Sequence, residues 1–352
     1  CNQRRYVNCL PACPYGVCTI ACKKNKRKLA WLSFACFTII YVFLRNIGTD
    51  WIEYSKYYNK HNGLDFFDGF FEPGFSAILA LFKFFEIPYS VVAGVIALFV
   101  CCIYFRATNK YTECFGFVAF LASFYIFYPG LESIRQLVTV VLFYYSLQYI
   151  DNDWKKYFLL NMMGVLFHRT GVFTLFFYFF HRYEFIKIGY FAMLPFYSIF
   201  EPYIYKALEW FPSIYQKYYW YRMVYGDRKV SVFSFKLLEY IFLACVAIFI
   251  RKNRSTHVKA VGNLQKENLT RENVTKYSDL VFIGIGLQLF IQPIFGSTYR
   301  ILYYSDIGIV MTFCCLYENL QKRYMILAEI TMAMYIVLRF YRLLSVNTQL
   351  FA

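Results

Sequence analysis

Residues 129–180 read PGLESIRQLVTVVLFYYSLQYIDNDWKKYFLLNMMGVLFHRTGVFTLFFYFF. Apolar runs fit for lipid alternate here with short polar breaks, and Glu132, Arg135, Gln136, His168 and Arg169 all fall at run ends or breaks. An ionisable group costs about 2.5–3.5 kcal/mol at mid-bilayer on insertion scales, so it persists where it faces a polar cavity. A chain that gathers such groups at one depth handles something charged or strongly polar there.

Outward from this stretch, composition points to a membrane solvent. The chain is 59% hydrophobic and 23% aromatic with only 16% charged residues, and its mean hydropathy is +0.41. A soluble domain of this length needs more charge to cover its surface. The net charge of +16 resides in short basic runs between apolar blocks, the pattern of positive-inside loops. No zinc-finger, helix–turn–helix or RNA-binding signature accompanies it, which argues against nucleic acid. Of the twelve cysteines, five precede residue 23 at spacings unlike a zinc knuckle, and most others lie in apolar runs, where a thiol is a small hydrophobe.

Apolar blocks lie at 29–44, 89–105, 115–128, 137–150, 157–167, 172–180, 188–200, 235–250, 280–295, 301–317 and 324–344. The block 70–85 is short and interrupted by Pro73, Gly74 and Lys83. The expected fold is all-α: a polytopic membrane protein with about ten to twelve transmembrane or half-membrane helices and a long external aromatic loop. Residues 1–28 form a cytoplasmic or atypical N-terminal segment, and 29–344 a single transmembrane domain. Within it, 201–234 is the external loop and 251–278 a cytoplasmic loop; 345–352 is a tail. The basic run at 23–28 holds the first span's start inside. Alternating from there puts every strongly basic short loop inside, provided 70–85 lies in the interface or re-enters. The polar residues of interest then share the outer face.

Glu132, Arg135 and Gln136 sit three and four residues apart at a helix start, on one surface of a turn. The arginine offers a fixed fork of donors for phosphate oxygens, and the glutamine offers neutral hydrogen bonds for hydroxyls. His168 lies between two half-segments flanked by Gly164 and Gly171, so a broken helix there presents backbone donors and an imidazole together. Arg45, Gly48, Asp50 and Glu53 emerge beside the first span, Glu72 precedes Pro73-Gly74, and Tyr299-Arg300 opens a late span. Asp151-Asn-Asp153 has the form of a metal-binding DxD, yet stands in an expected cytoplasmic turn away from these groups. The loop 201–234 is rich in Tyr and Trp, including Trp220 beside Arg222; such rings suit sugar C–H faces as well as a membrane interface.

Taken in order, Leu44-Arg45-Asn46-Ile47-Gly48-Thr49-Asp50-Trp51 with Tyr54, Phe71-Glu72-Pro73-Gly74-Phe75, Ile134-Arg135-Gln136, Phe167-His168-Arg169-Thr170 and Arg300 with Tyr303-Tyr304 resemble the EpsG family of Wzy-like polysaccharide polymerases. The series covers most of the chain. It departs from the family in its first 28 residues and in Arg169-Thr170, which replaces a commoner small polar pair.

The resemblance implies a glycosyltransferase at the outer face of a bacterial plasma membrane, passing a glycan from a polyprenyl diphosphate to a sugar hydroxyl of another lipid-linked repeat. Its partners would be the polyprenyl-diphosphate-linked oligosaccharide and the bilayer, together with a chain-length regulator and a flippase. No metal or cofactor is called for, because Arg45, Arg135 or Arg300 can meet the charge on the departing diphosphate. His168, Asp50, Glu72 or Glu132 can take the hydroxyl proton. Gln136, Arg169, Tyr299, Trp220 and Arg222 join the substrate-binding set. A flippase or transporter of lipid-linked oligosaccharide fits broken helices and buried arginines too, but no internal hydropathy repeat supports it. A membrane O-acyltransferase using His168 would want its donor on the cytoplasmic side.

Overall fold

The computed structural model describes residues 49–111, 133–193, 237–245, 264–291 and 298–319, with isolated positions between them. The described elements are all helical. In chain order they are α1 (Thr49–Lys60), α2 (Pro73–Phe84), α3 (Tyr89–Tyr111), α4 (Ile134–Ser146), α5 (Trp154–Val165), α6 (Val172–Arg182), α7 (Glu184–Met193), α8 (Leu264–Gly286) and α9 (Leu302–Asn319), joined in places by short 3-10 turns. The expected all-α class therefore stands. Among the described residues, α3 alone is long and apolar enough by itself to cross a membrane, over Tyr89–Thr108; α2 and the first part of α9 are shorter apolar helices. Apart from Leu32 and Cys36, the blocks 29–44, 115–128 and 324–344 lie outside the described residues, as does most of 201–234.

The core is built around α4. Eleven of its thirteen residues are buried, from Ile134 to Ser146, with only Arg135 and Tyr145 partly open. A helix apolar all round must be enclosed by other helices, and α4 touches α3, α5, α9 and the 3-10 turn Arg169–Gly171. Its interior hydroxyl, Thr139, is where α5 presses closest. A Cβ on Gly164 would come within 3.0 Å of the Thr139 methyl, and one on Gly171 within 2.8 Å. The Thr139 hydroxyl also donates to the Gly164 carbonyl at 2.9 Å. Two glycines thus let the end of one helix and the start of the next settle onto a third.

Between α5 and α6 the chain breaks as the sequence suggests. The Phe167 and His168 amides both return to the Gly164 carbonyl, His168 is extended at φ −156°, and the turn Arg169–Gly171 begins at once. The helices then run antiparallel, with Tyr157 packed on Tyr178 at 5.6 Å and its hydroxyl on the Thr174 carbonyl at 2.5 Å. The start of α2 docks against this break. Pro73 occupies the first turn, where its missing N–H costs nothing. The Gly74 amide donates to the Leu166 carbonyl at 2.8 Å; a Cβ on Gly74 would meet that oxygen at 2.8 Å.

One boundary differs from expectation. The cytoplasmic loop drawn at 251–278 is helical from Leu264 onward, as the first half of α8. Hydropathy registers only the apolar half. Residues 264–276 are polar but mostly good helix formers, so the helix continues beyond the apolar layer. α8 and α9 then pack closely: a Cβ on Gly308 would lie 2.6 Å from the Leu280 Cβ.

Candidate functional site

Glu72 caps α2 with its backbone, accepting from the Ser76 amide at 3.0 Å, while its side chain makes no cap bond. The carboxylate is therefore left for other partners. Oε2 pairs with Arg135 Nη1, and Oε1 accepts from the Arg169 amide at 3.2 Å and from Arg169 Nε at 3.3 Å. Burial alone would raise this carboxyl, but the Arg135 guanidinium and the Arg169 amide hold it below its ordinary value. Arg135 is sheathed by rings. Its guanidinium carbon lies 4.5 Å from the Phe71 centroid, 5.1 Å from Tyr54 and 5.7 Å from Phe75, a cation–π setting. Its Nε donates to the Tyr54 hydroxyl at 3.1 Å.

Tyr54 leads to the next member. Its hydroxyl lies 3.4 Å from Asp50 Oδ2, one helical turn earlier on α1. Asp50 is gripped by the Arg300 fork, Nη2 to Oδ1 at 3.1 Å and Nη1 to Oδ2 at 2.9 Å. Arg300 belongs to the 3-10 turn Thr298–Ile301 that precedes α9. Its carbonyl accepts from Gln136 Nε2 at 2.6 Å, and that nitrogen lies 3.5 Å from Thr170 Oγ1. Thr170 Oγ1 is 2.7 Å from His168 Nδ1 and 3.0 Å from the Tyr304 hydroxyl. Since His168 and Thr170 flank Arg169, the circuit closes on Glu72.

Seven of the residues singled out from sequence are thus brought into one ring: Asp50, Glu72, Arg135, Gln136, His168, Arg169 and Arg300. They come from segments up to 250 positions apart. Arg45, Glu132, Trp220 and Arg222 lie outside the described residues, and Tyr299 is described in its backbone only. Openness separates the arginines. The Arg169 side chain is 64% exposed, Arg300 29% and Arg135 14%, so Arg169 is the cation most able to turn toward a ligand. Gln136 is fully buried, and its Oε1 has no partner. A buried acceptor left open is costly and fits a hydroxyl donor of a ligand.

Sequence reasoning assigned no role to Tyr54, Thr170 or Tyr304, although all three stand inside the quoted motifs. It also missed a second ionic cluster. At the far end of α6, His181 Nδ1 lies 2.6 Å from Asp279 and its Nε2 3.1 Å from Asp151. Lys276 pairs with Asp151 at 2.7 Å and Lys187 with Asp279 at 3.0 Å. Burial would raise the Asp151 carboxyl, but hydrogen bonds from His181 and Lys276 hold it well below the usual range. Asp151, which the sequence reading sets apart from the groups around His168, anchors this second cluster. Asp153, the other half of the DxD form, caps α5 by accepting from the Lys156 amide at 3.1 Å. Among the described residues, no group of three or more His, Cys, Asp or Glu side chains is placed to hold a metal ion.

No curated protein and no solved structure matches the chain. A family model does: residues 27–351, nearly the whole chain, match the EpsG family. That family implies, in general terms, a Wzy-like membrane polysaccharide polymerase acting on a lipid-linked glycan. On the strength of this match the chain belongs to the EpsG family.

Proposed function

We propose that this protein is a repeat-unit polymerase. It joins polyprenyl-diphosphate-linked glycans by metal-independent glycosyl transfer at the outer face of a bacterial plasma membrane, which it spans several times. The observation that carries the reading is the closed ring at one end of an apolar helix bundle, with three guanidiniums balanced by only two carboxylates and an imidazole beside them.

Each part has a task in that chemistry. A diphosphate leaving a sugar needs cations at its developing charge. Arg169, the most exposed of the three, and Arg300 supply them, while Arg135 is held under its aromatic rings and keeps Glu72 in place. Gln136 offers its open Oε1 to a sugar hydroxyl. Asp50, Glu72, Glu132 and His168 are the groups eligible to take the acceptor's proton. Arg45, Tyr299 and the aromatic loop with Trp220 and Arg222 complete the substrate-binding set as further members of this proposal. A chain-length regulator and a flippase would work alongside.

The test is polymer length in cells. Arg135→Ala and His168→Ala are each expected to leave single repeats in place of long chains, His168→Ala at unchanged protein level in the membrane. Unchanged length in both variants would remove the site from the mechanism.

A further inference from the structure

The hydrogen bonds around His168 fix more than its place. Its Nδ1 accepts from the Thr170 backbone amide at 3.3 Å, as the N-cap of the turn Arg169–Gly171. A backbone N–H can only donate, so Nδ1 holds a lone pair and the neutral ring carries its proton on Nε2. The Thr170 hydroxyl agrees with this. Its oxygen is 3.5 Å from Gln136 Nε2, a group whose donating sense is set by the Arg300 carbonyl at 2.6 Å. The Tyr304 hydroxyl stands 3.0 Å away on the same oxygen. Either hydroxyl of that pair can donate; with Tyr304 donating, the Thr170 proton is left for His168 Nδ1, 2.7 Å distant.

We propose that Thr170 is a positioning residue that locks His168 in the Nε2–H tautomer, so that His168 serves the polymerase reaction as a hydrogen-bond donor to the departing diphosphate and not as its base. The role rests on the polymerase reading; the tautomer does not. In the step, the bond between the anomeric carbon and the diphosphate oxygen breaks, and its electron pair leaves with the diphosphate. A bond forms from the acceptor hydroxyl oxygen to that carbon, and the hydroxyl proton passes to Asp50 or Glu72, the carboxylates of the ring. His168 Nε2–H meets the negative charge as it grows, beside Arg169 and Arg300. Arg169 and Thr170 thereby take separate parts: one residue supplies charge and the other sets the imidazole.

Two measurements on the full chain in lipid nanodiscs test this. The first is nitrogen-15 NMR of protein labelled at its four histidines, with His168 assigned by its loss in His168→Gln. At neutral pH, Nδ1 is expected to be pyridine-like and Nε2 pyrrole-like. Thr170→Val mixes the two tautomers and Thr170→Ser restores one. A pyrrole-like Nδ1 in the unaltered protein overturns the proposal. The second is elongation of a lipid-linked repeat unit. In His168→Gln an amide N–H takes the place of Nε2–H, so this variant is expected to be impaired yet well above His168→Ala, which loses roughly 100-fold. If His168→Gln is as inactive as His168→Ala, the donor role fails. Should the unaltered protein elongate nothing, the polymerase reading falls, and the NMR result still decides the tautomer.

Discussion

Arg135 and Arg169 share one carboxylate, Glu72, yet differ in surroundings, and this separates what their loss would do. Arg135 is nearly enclosed and its side chain closes a buried pair. Removing one partner of such a pair leaves an uncompensated charge and costs about 3 kcal/mol or more. Arg135→Gln is therefore expected to lower both the unfolding temperature and elongation. Arg169 is mostly exposed, and an exposed pair contributes about 1 kcal/mol or less. Arg169→Gln is expected to cut elongation about tenfold or more while leaving the melting curve in place, because the loss falls on ligand charge alone. Thermal unfolding in detergent, read beside polymer length, distinguishes the two. These arginines were legible in the sequence because a guanidinium stands out in an apolar run. Tyr54, Thr170 and Tyr304 were not, since one hydroxyl among 35 tyrosines carries no mark of its partner until the fold supplies it.

At the scale of elements, glycines rather than charges bring the ring together. α2 reaches the break between α5 and α6 because Gly74 lets its first turn meet the Leu166 carbonyl, and this sets Glu72 against Arg169. Gly74→Ala would put a methyl 2.8 Å from that backbone oxygen, which has no side-chain freedom to yield. The expected result is a shift of α2, a cost of roughly 1–3 kcal/mol, and a larger loss of activity than of folded protein. Gly171→Ala, facing the Thr139 methyl at 2.8 Å, is expected to act similarly by lifting the turn that holds His168 and Thr170. Membrane yield and polymer length measured together check both. The break itself was legible: a histidine between two short apolar runs, flanked by Gly164 and Gly171, gave the right place. The start of α8 was not, because hydropathy cannot see a helix where its residues are polar.

Across the whole molecule, the two ionic clusters mark opposite ends of the same helices. α6 starts beside His168 and ends at His181, about 16 Å of rise for its eleven residues. Charge rules place the His181 end in the cytoplasm. Asn62→Cys and Lys155→Cys, both at exposed positions, test this in a background with the native cysteines replaced. An impermeant maleimide added to intact cells is expected to label the first and not the second. The cluster around His181 is expected to serve stability. Asp151 is held well below its ordinary value when folded, so its contribution is full above that ordinary value and is lost progressively as pH falls from there through the lower folded value. Asp151→Asn is expected to destabilise the protein at neutral pH, with the difference beginning to shrink only below about pH 4; the partners His181, Lys276, Asp279 and Lys187 remain in place. Sequence missed this cluster because its members belong to four separate segments, each reading as an ordinary positive-inside loop or helix end.

Elongation by the isolated protein decides whether this chain is itself a polymerase. Purified full-length chain in proteoliposomes would be given a polyprenyl-diphosphate-linked repeat unit of defined length and nothing else. A polymerase yields a ladder of longer lipid-linked glycans with release of polyprenyl diphosphate, and no ladder with Arg135→Ala or with Asp50→Asn combined with Arg300→Gln. Movement of the repeat unit between leaflets without elongation, or transfer of an acyl group onto it, would contradict the account.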